Sequence, residues 1–214
     1  MDEEVSLIDA NTRNEKIKNF LINNKSKIIS FLVFVVIVLI LFFSFGEYQK
    51  SAKKEISDQF NLATIGFKIE NKEKTLNELT EVIKSKNPTY SPLALYFVID
   101  NNLSDDRDEI NNFFDILISE TNLDEEIKNL VIYKKALFNA DDISEVELIN
   151  ILKPINNSES VWKSHSLYLI GEYFFSKGEK EKSKEFFQKI NTLNNANTSI
   201  QTQAQKRLTR DLSD

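Results

Sequence analysis

The chain has no cysteine, one histidine, four glycines and three prolines among its 214 residues. Without cysteine it can form no disulfide, no cysteine-based zinc site and no thiol nucleophile. Sandwiches and barrels need many tight turns, for which Gly and Pro are favoured residues. Their scarcity favours an all-α protein, and no alternation of apolar and polar residues lasts long enough to indicate a sheet.

Side chains and motifs that could catalyse a reaction or bind a cofactor, metal or nucleic acid are also scarce. The net charge is −6, and nucleic-acid binding needs a basic face, so we expect no nucleic-acid partner. A lone histidine such as His165 is usually structural or solvated. Four glycines leave no phosphate-binding loop, and the sequence contains no serine-hydrolase or zinc-protease motif. We therefore expect a protein that is not an enzyme and that holds neither a cofactor nor a metal.

One long apolar run stands out. Residues 28–45 carry no charge, and only Ser30 and Ser44 interrupt the apolar side chains. A helix of this length spans about 27 Å, close to the roughly 30 Å hydrocarbon core of a bilayer. The run therefore predicts one transmembrane helix, whose anchoring residues we take to include Ile28, Phe31, Val35, Leu39, Phe42 and Phe45.

Two other interpretations of this run are a buried core helix and a cleaved signal peptide. A core helix usually keeps one polar face, which this run lacks. The small residues Ser44 and Gly46 resemble a cleavage site before Glu47. However, the run is longer than a usual signal core and 27 residues precede it, which favours a retained anchor.

The flanking charges predict the orientation. The tail, residues 1–27, contains five basic side chains, whereas Lys50, Lys53 and Lys54 follow the run. This asymmetry favours a cytoplasmic tail and an inner-membrane protein with a periplasmic C-terminal domain. The stretch Arg13–Lys27 suits either an amphipathic helix on the anionic inner leaflet or a disordered tail.

Beyond Gly46 the apolar spacing is helical throughout. Ser91 followed by Pro92 predicts a helix start, and Ser144 with Glu147 predicts a capping box. A linker helix, 46–70, leads into a repeat domain, 57–214, and offers a possible homodimer contact. The predicted helices are 47–70, 72–86, 91–102, 105–120, 123–139, 144–152, 160–177, 179–191 and 198–212, the last being a C-terminal capping helix.

The helices recur as pairs. Connections at Pro88, Glu120 and Pro154 lie 32 and 34 residues apart, and Asn194 follows after 40. Such an interval suits a helix–turn–helix unit that buries its apolar faces by stacking on its neighbours. The last unit resembles a tetratricopeptide repeat, with the expected packing residues Gly171, Phe174, Gly178, Ser183, Phe187 and Ile190.

In a tetratricopeptide-like α-solenoid, the first helix of each unit lines a concave groove. The groove residues of the last unit would be His165, Tyr168, Glu172 and Phe175. An equally acceptable alternative is that Tyr168 and Phe175 pack against the neighbouring unit.

The whole layout resembles a known family. An acidic start (2–4), a basic juxtamembrane stretch, one apolar span, a long linker helix and the terminal Gly171–Ile190 repeat are together similar to the YfgM-like ancillary subunits of the SecYEG translocon. The resemblance implies an inner-membrane protein whose periplasmic domain binds the translocon and a membrane-anchored peptidyl-prolyl isomerase and chaperones secreted client chains. The alternative is a scaffold of another envelope complex, for division, outer-membrane assembly or pilus biogenesis, because a fold does not fix a function.

Overall fold

The computed structural model describes residues 15, 16 and 18–213, with the side chains at 28, 32 and 43–52 left outside the description. The chain divides into two compact units, Met1–Lys54 and Glu55–Asp214. Every regular element in the described residues is helical. Within the predicted tail, residues 18–23 are helical, whereas the acidic start and Arg13 lie outside the described residues.

The first helix, α1, runs over Lys25–Ile65. Its window Lys25–Phe42 has a mean hydropathy of 2.5 and is long and apolar enough to cross a membrane. The predicted anchor residues Phe31, Leu39 and Phe42 are exposed and Val35 is half-buried, as expected where no protein surface covers a helix. The side chains of Ile28 and Phe45 lie outside those described.

Eight further helices follow in the second unit. Within the described residues these helices pack on their neighbours along the chain. A 3₁₀ turn, Ile69–Asn71, precedes α2, and α4 ends in a turn of π-helix, Ile116–Glu120. The helices are α2 (Lys72–Lys84), α3 (Tyr90–Asp100), α4 (Arg107–Asp115), α5 (Glu125–Asn139), α6 (Glu145–Asn156), α7 (Lys163–Ser176), α8 (Lys180–Asn191) and α9 (Thr198–Arg210).

Two predicted boundaries beyond α1 need correction. Ser91 does not begin α3, since its buried hydroxyl donates to the Val82 carbonyl (2.7 Å). Asn87 Oδ1 instead accepts from the backbone amides of Thr89 and Tyr90. The other correction concerns α6, which was expected to end at Leu152.

Helix α6 continues through Pro154 to Asn156. A proline in the last turn removes only one intrahelical hydrogen bond, and the buried side chain of Ile155 holds that turn in the core. At the other end of α6, the predicted capping box is confirmed. Glu147 Oε2 accepts from the Ser144 amide, and Ser144 Oγ accepts from the Glu147 amide.

The predicted linker helix also ends early. Helix α1 stops at Ile65, and the chain turns through Gly66 before the 3₁₀ turn. The Asn71 side chain holds this turn, because its Nδ2 donates to the Gly66 carbonyl (2.9 Å) and its Oδ1 accepts from the Lys68 amide (2.8 Å). A side chain thus satisfies backbone groups that a continued helix would have paired.

The core of the second unit consists of three apolar clusters along the chain. The first joins α1 to α5, the second α5 to α8, and the third α7 to α9. Ile118 contacts the first and second clusters, and Phe186 contacts the second and third. Each helical pair therefore buries its apolar surface against its neighbours, as stacked repeats do.

Two pairs share the same turn. After α3, Asn102 has φ +48° and the Leu103 amide donates to the Val98 carbonyl (2.8 Å). After α7, Gly178 has φ +77° and the Glu179 amide donates to the Phe174 carbonyl (2.9 Å). Both turns have the left-handed residue and six-to-one hydrogen bond of a Schellman motif.

The last helix, α9, closes the C-terminal end. Ala204 is buried in the third cluster, with Ile200 and Leu208 packed beside it. Its outer side is polar: Thr202, Gln203, Gln205, Lys206 and Thr209 are all exposed.

Candidate functional site

Helices α7 and α8 meet at the predicted repeat-packing residues. Ser183 is buried and its Oγ donates to the Gly171 carbonyl (2.9 Å). A Cβ at Gly171 would lie 2.6 Å from Cε1 of Phe187, so the contact depends on the absence of a side chain. Phe174 and Ile190 are buried nearby. The structure brings these residues into one interface, and Gly178 forms the turn between the two helices.

The predicted groove residues of α7 separate into two groups. Tyr168, Glu172 and Phe175 contact α8 or α9 of the same chain. The Tyr168 ring lies 5.3 Å from that of Phe187, and Arg207 lies over the Phe175 ring at 4.7 Å. Partner binding by these three residues stays a prediction, and α9 occupies the side of α7 on which they lie.

Arg207 is the centre of an ion-pair network. Its Nε donates to Glu172 Oε1 (2.7 Å) and its Nη2 to Glu172 Oε2 (2.6 Å). Its Nη1 donates to Asp211 Oδ2 (2.9 Å). These hydrogen bonds raise the pKa of the Arg207 guanidinium. Burial, together with Glu172, raises the pKa of Tyr168. The network fastens α9 to α7.

His165 belongs to the second group. Its ring lies 5.0 Å from that of Trp162 and 5.8 Å from that of Tyr133 on α5. Burial lowers the pKa of His165, partly offset by the Val161 carbonyl. Its Nδ1 has no hydrogen-bond partner among the described residues. Within the same part of the chain, no group of three or more metal-ligating side chains occurs.

A cleft lies where α3, α4 and α5 meet. It has a volume of about 230 Å³, below the roughly 300–1,000 Å³ of drug-sized sites. It is therefore the size of one large side chain. It is mostly apolar, and its lining residues are Tyr96, Ile99, Asp100, Phe114, Lys134, Leu137 and Phe138.

The polar groups of this cleft are incompletely paired. The Lys134 ammonium lies over the Tyr96 ring at 4.5 Å, and Lys134 has no ion-pair partner among the described residues. Its neighbour Lys135 instead pairs with Asp115 (2.6 Å). Burial raises the pKa of Tyr96 to about 12. The Tyr96 hydroxyl is buried and finds no hydrogen-bond partner in the described chain.

The sequence carries a signal for the α5 side of this cleft, where Lys134 and Leu137 line it. Ile127, Leu130, Lys134 and Leu137 recur at the three- and four-residue spacing of one helix face on α5. None of them is buried, and 52% of Leu137 is exposed. A stripe of apolar residues that remains accessible in a folded domain marks a surface suited to binding.

No family profile, no curated protein and no solved structure matches this chain.

Proposed function

We propose that this protein is a membrane-anchored protein-interaction module. In this proposal α1 spans a membrane, the second unit is a tetratricopeptide-like solenoid, and the cleft between α3 and α5 holds an apolar side chain of a partner. The cleft is the observation that carries the proposal. It combines accessible apolar side chains with Lys134 and Asp100, which form no ion pair among the described residues, and with the Tyr96 hydroxyl, which finds no hydrogen-bond partner there.

Several features support the solenoid. The close approach at Gly171, the hydrogen bond from Ser183 and the Schellman turn at Gly178 each have the packing role expected in a tetratricopeptide unit. The repeated turn at Asn102 extends this likeness to an earlier pair. Helix α9 has the polar outer side of a terminal cap, which solenoids need for solubility.

The anchor is supported by the length and hydropathy of the window Lys25–Phe42. The charge asymmetry around it favours a cytoplasmic N-terminus and a periplasmic domain. Protease protection on sealed inverted inner-membrane vesicles tests both. A protected C-terminal domain with a trimmed N-terminus supports the proposal. A digested domain contradicts the orientation, and release of the protein by alkaline carbonate contradicts the anchor.

The resemblance to the YfgM-like family makes the Sec translocon the partner that we propose. The chain would act as an ancillary subunit beside SecYEG and the membrane-anchored isomerase, assisting secreted chains. The apolar cleft suits this role, because emerging chains expose apolar side chains before they fold.

Site-specific photocrosslinking tests this partner. A photoreactive amino acid replaces Leu137 in the cleft, and a matched variant carries it at Val146, which is exposed at the start of α6. We expect crosslinks to translocon subunits, the isomerase or a secreted chain from position 137, and not from position 146. Equal yields from both positions, or crosslinks only to division or outer-membrane assembly proteins, would contradict the translocon assignment.

A further inference from the structure

The end of the repeat domain opposite α9 has an uncovered apolar face. Leu62 is 75% exposed, Ile65 85% and Ile69 86%. They come from the last turns of α1 and from the 3₁₀ turn that follows. We call the surface formed by Leu62 and Ile65, with Glu55 and Asp58 on the same side of α1, the α1 face.

The exposure of these residues follows from how α1 packs. Ile56, Phe60 and Ala63 belong to the first apolar cluster. Leu62 lies one residue before Ala63 and Ile65 two residues after it, which on a helix places both away from the buried side. The sequence had left open which side of α1 meets the repeats, and the structure leaves this second apolar side uncovered.

The two ends of the domain therefore differ. The outer side of α9 is polar, whereas Leu62 and Ile65 of the α1 face are exposed, as is Ile69 in the turn that follows. In a repeat protein an apolar outer face is the surface on which a further element stacks. Large uncovered apolar surface on a folded domain marks an interaction site.

The charges on the α1 face indicate what stacks there. Glu55 and Asp58 precede Leu62 by seven and four residues, which places them on the same side of the helix. Both are exposed, and neither has an ion-pair partner among the described residues. A partner element with an aliphatic stripe and basic residues at one end would pair with these carboxylates while covering the aliphatic residues.

A second copy of the chain matches this face poorly. Two α1 helices that lie parallel around a two-fold axis would bring Glu55 and Asp58 of one copy near the same residues of the other. Like charges in such a contact are destabilising. We infer that the α1 face is a docking surface for a different protein, which presents an amphipathic helix with an aliphatic stripe beside a basic end.

Peptide binding tests this inference independently of the cleft. The full chain, held in nanodiscs of zwitterionic lipid, is titrated with two synthetic amphipathic helices that share one Leu and Ile stripe. One peptide carries three lysines in its terminal turn and the other carries three glutamates. We expect the lysine peptide to bind at least tenfold more tightly, with an affinity that falls as salt is raised.

Variants distinguish the face from other sites. Ile65→Lys should abolish binding of the lysine peptide, and the double change Glu55→Lys with Asp58→Lys should reverse the preference between the peptides. Val146→Lys is the control on an exposed apolar residue elsewhere. This control should not alter the affinity.

Three outcomes would overturn the inference. They are equal affinity for the two peptides, unchanged binding in the Ile65→Lys variant, and a dimer of the full chain in sedimentation that Ile65→Lys dissociates. The last would make a second copy the occupant of the face. Circular dichroism of each variant separates lost binding from lost folding.

Discussion

Ser183 Oγ on α8 donates a hydrogen bond to the carbonyl of Gly171 on α7 across 2.9 Å. The Phe187 ring lies directly over Gly171. A small hydroxyl residue and a residue without a side chain thus fix the spacing of the two helices, and the ring fills the space that remains.

Gly171→Ala should destabilise the domain by about 1–3 kcal/mol, because its Cβ would overlap a buried aromatic ring that has little room to move. Urea unfolding measures the change. Ser176→Ala at the exposed end of the same helix is the control and should leave the midpoint unchanged. An unchanged midpoint for the Gly171 variant would mean that Phe187 relaxes without cost.

Arg207→Lys should loosen α9, because a lysine cannot keep both hydrogen bonds to Glu172 together with the one to Asp211. We expect a loss of roughly 1–2 kcal/mol in the opening free energy of residues 198–210, measured by hydrogen exchange. Arg210→Lys is the control, since Arg210 is exposed and pairs only with Asp211. Equal protection in both variants would contradict the role given to Arg207.

Lowering the pH should weaken the packing of α9 against α7 only once the pH is well below neutral. Arg210 and Arg207 hold the pKa of Asp211 well below its ordinary value. A carboxyl group with a lowered pKa stabilises the fold above its unfolded pKa of about 3.9 and loses that contribution as the pH falls. Protection of residues 198–210, corrected for intrinsic exchange rates, should be constant between pH 7 and about 5 and should fall below about 4. In the Asp211→Asn variant, the protection of residues 198–210 should be lower at pH 7 and should decline less as the pH falls.

Tyr96→Phe should stabilise the isolated chain by about 1 kcal/mol, because it removes a buried hydroxyl without a partner. In the proposed cleft the same change should weaken crosslinking from position 137. Opposite effects on stability and binding would indicate that the hydroxyl serves a ligand. Lower stability would instead reveal a hydrogen bond in the free protein.

Alkaline titration checks the surroundings of the same residue. Since burial raises the pKa of Tyr96 to about 12, the folded state holds the phenol proton more tightly than the unfolded state, and the free energy of unfolding should fall as the pH rises from about 10 towards 12. The phenolate absorbance of the wild type minus that of Tyr96→Phe should therefore appear near pH 12. A difference near pH 10 would mean that the hydroxyl reaches water.

Most of the helical architecture followed from local patterns. Apolar spacing located the helices, and Ser144 with Glu147 marked a start that depends on two side chains three residues apart. The predicted start at Ser91 was wrong because the Asn87 side-chain oxygen caps this helix. The Ser91 hydroxyl instead donates to the Val82 carbonyl on α2. The early end of α6 was wrong because Ile155 is held by residues distant in sequence.

The site was harder to predict, for the same reason. The spacing on α7 predicted Glu172 and Phe175 as groove residues. Their contact with Arg207 depends on α9 packing against α7, which cannot be predicted from the local sequence. The α3–α5 cleft depends on how three helices stack. The exposure of Leu62 and Ile65 could not be predicted either, because it depends on which side of α1 packs against the other helices.

Ile118 and Phe186 each contact two adjacent apolar clusters, and we expect them to couple the unfolding of those clusters. Truncating either to alanine should weaken the coupling between clusters more than the stability within each. Thermal unfolding would then broaden or split into steps, beginning in the segment that has lost its neighbour. We therefore expect cooperative unfolding to depend on a few bridging side chains, because the buried apolar residues that the structure describes fall into three clusters.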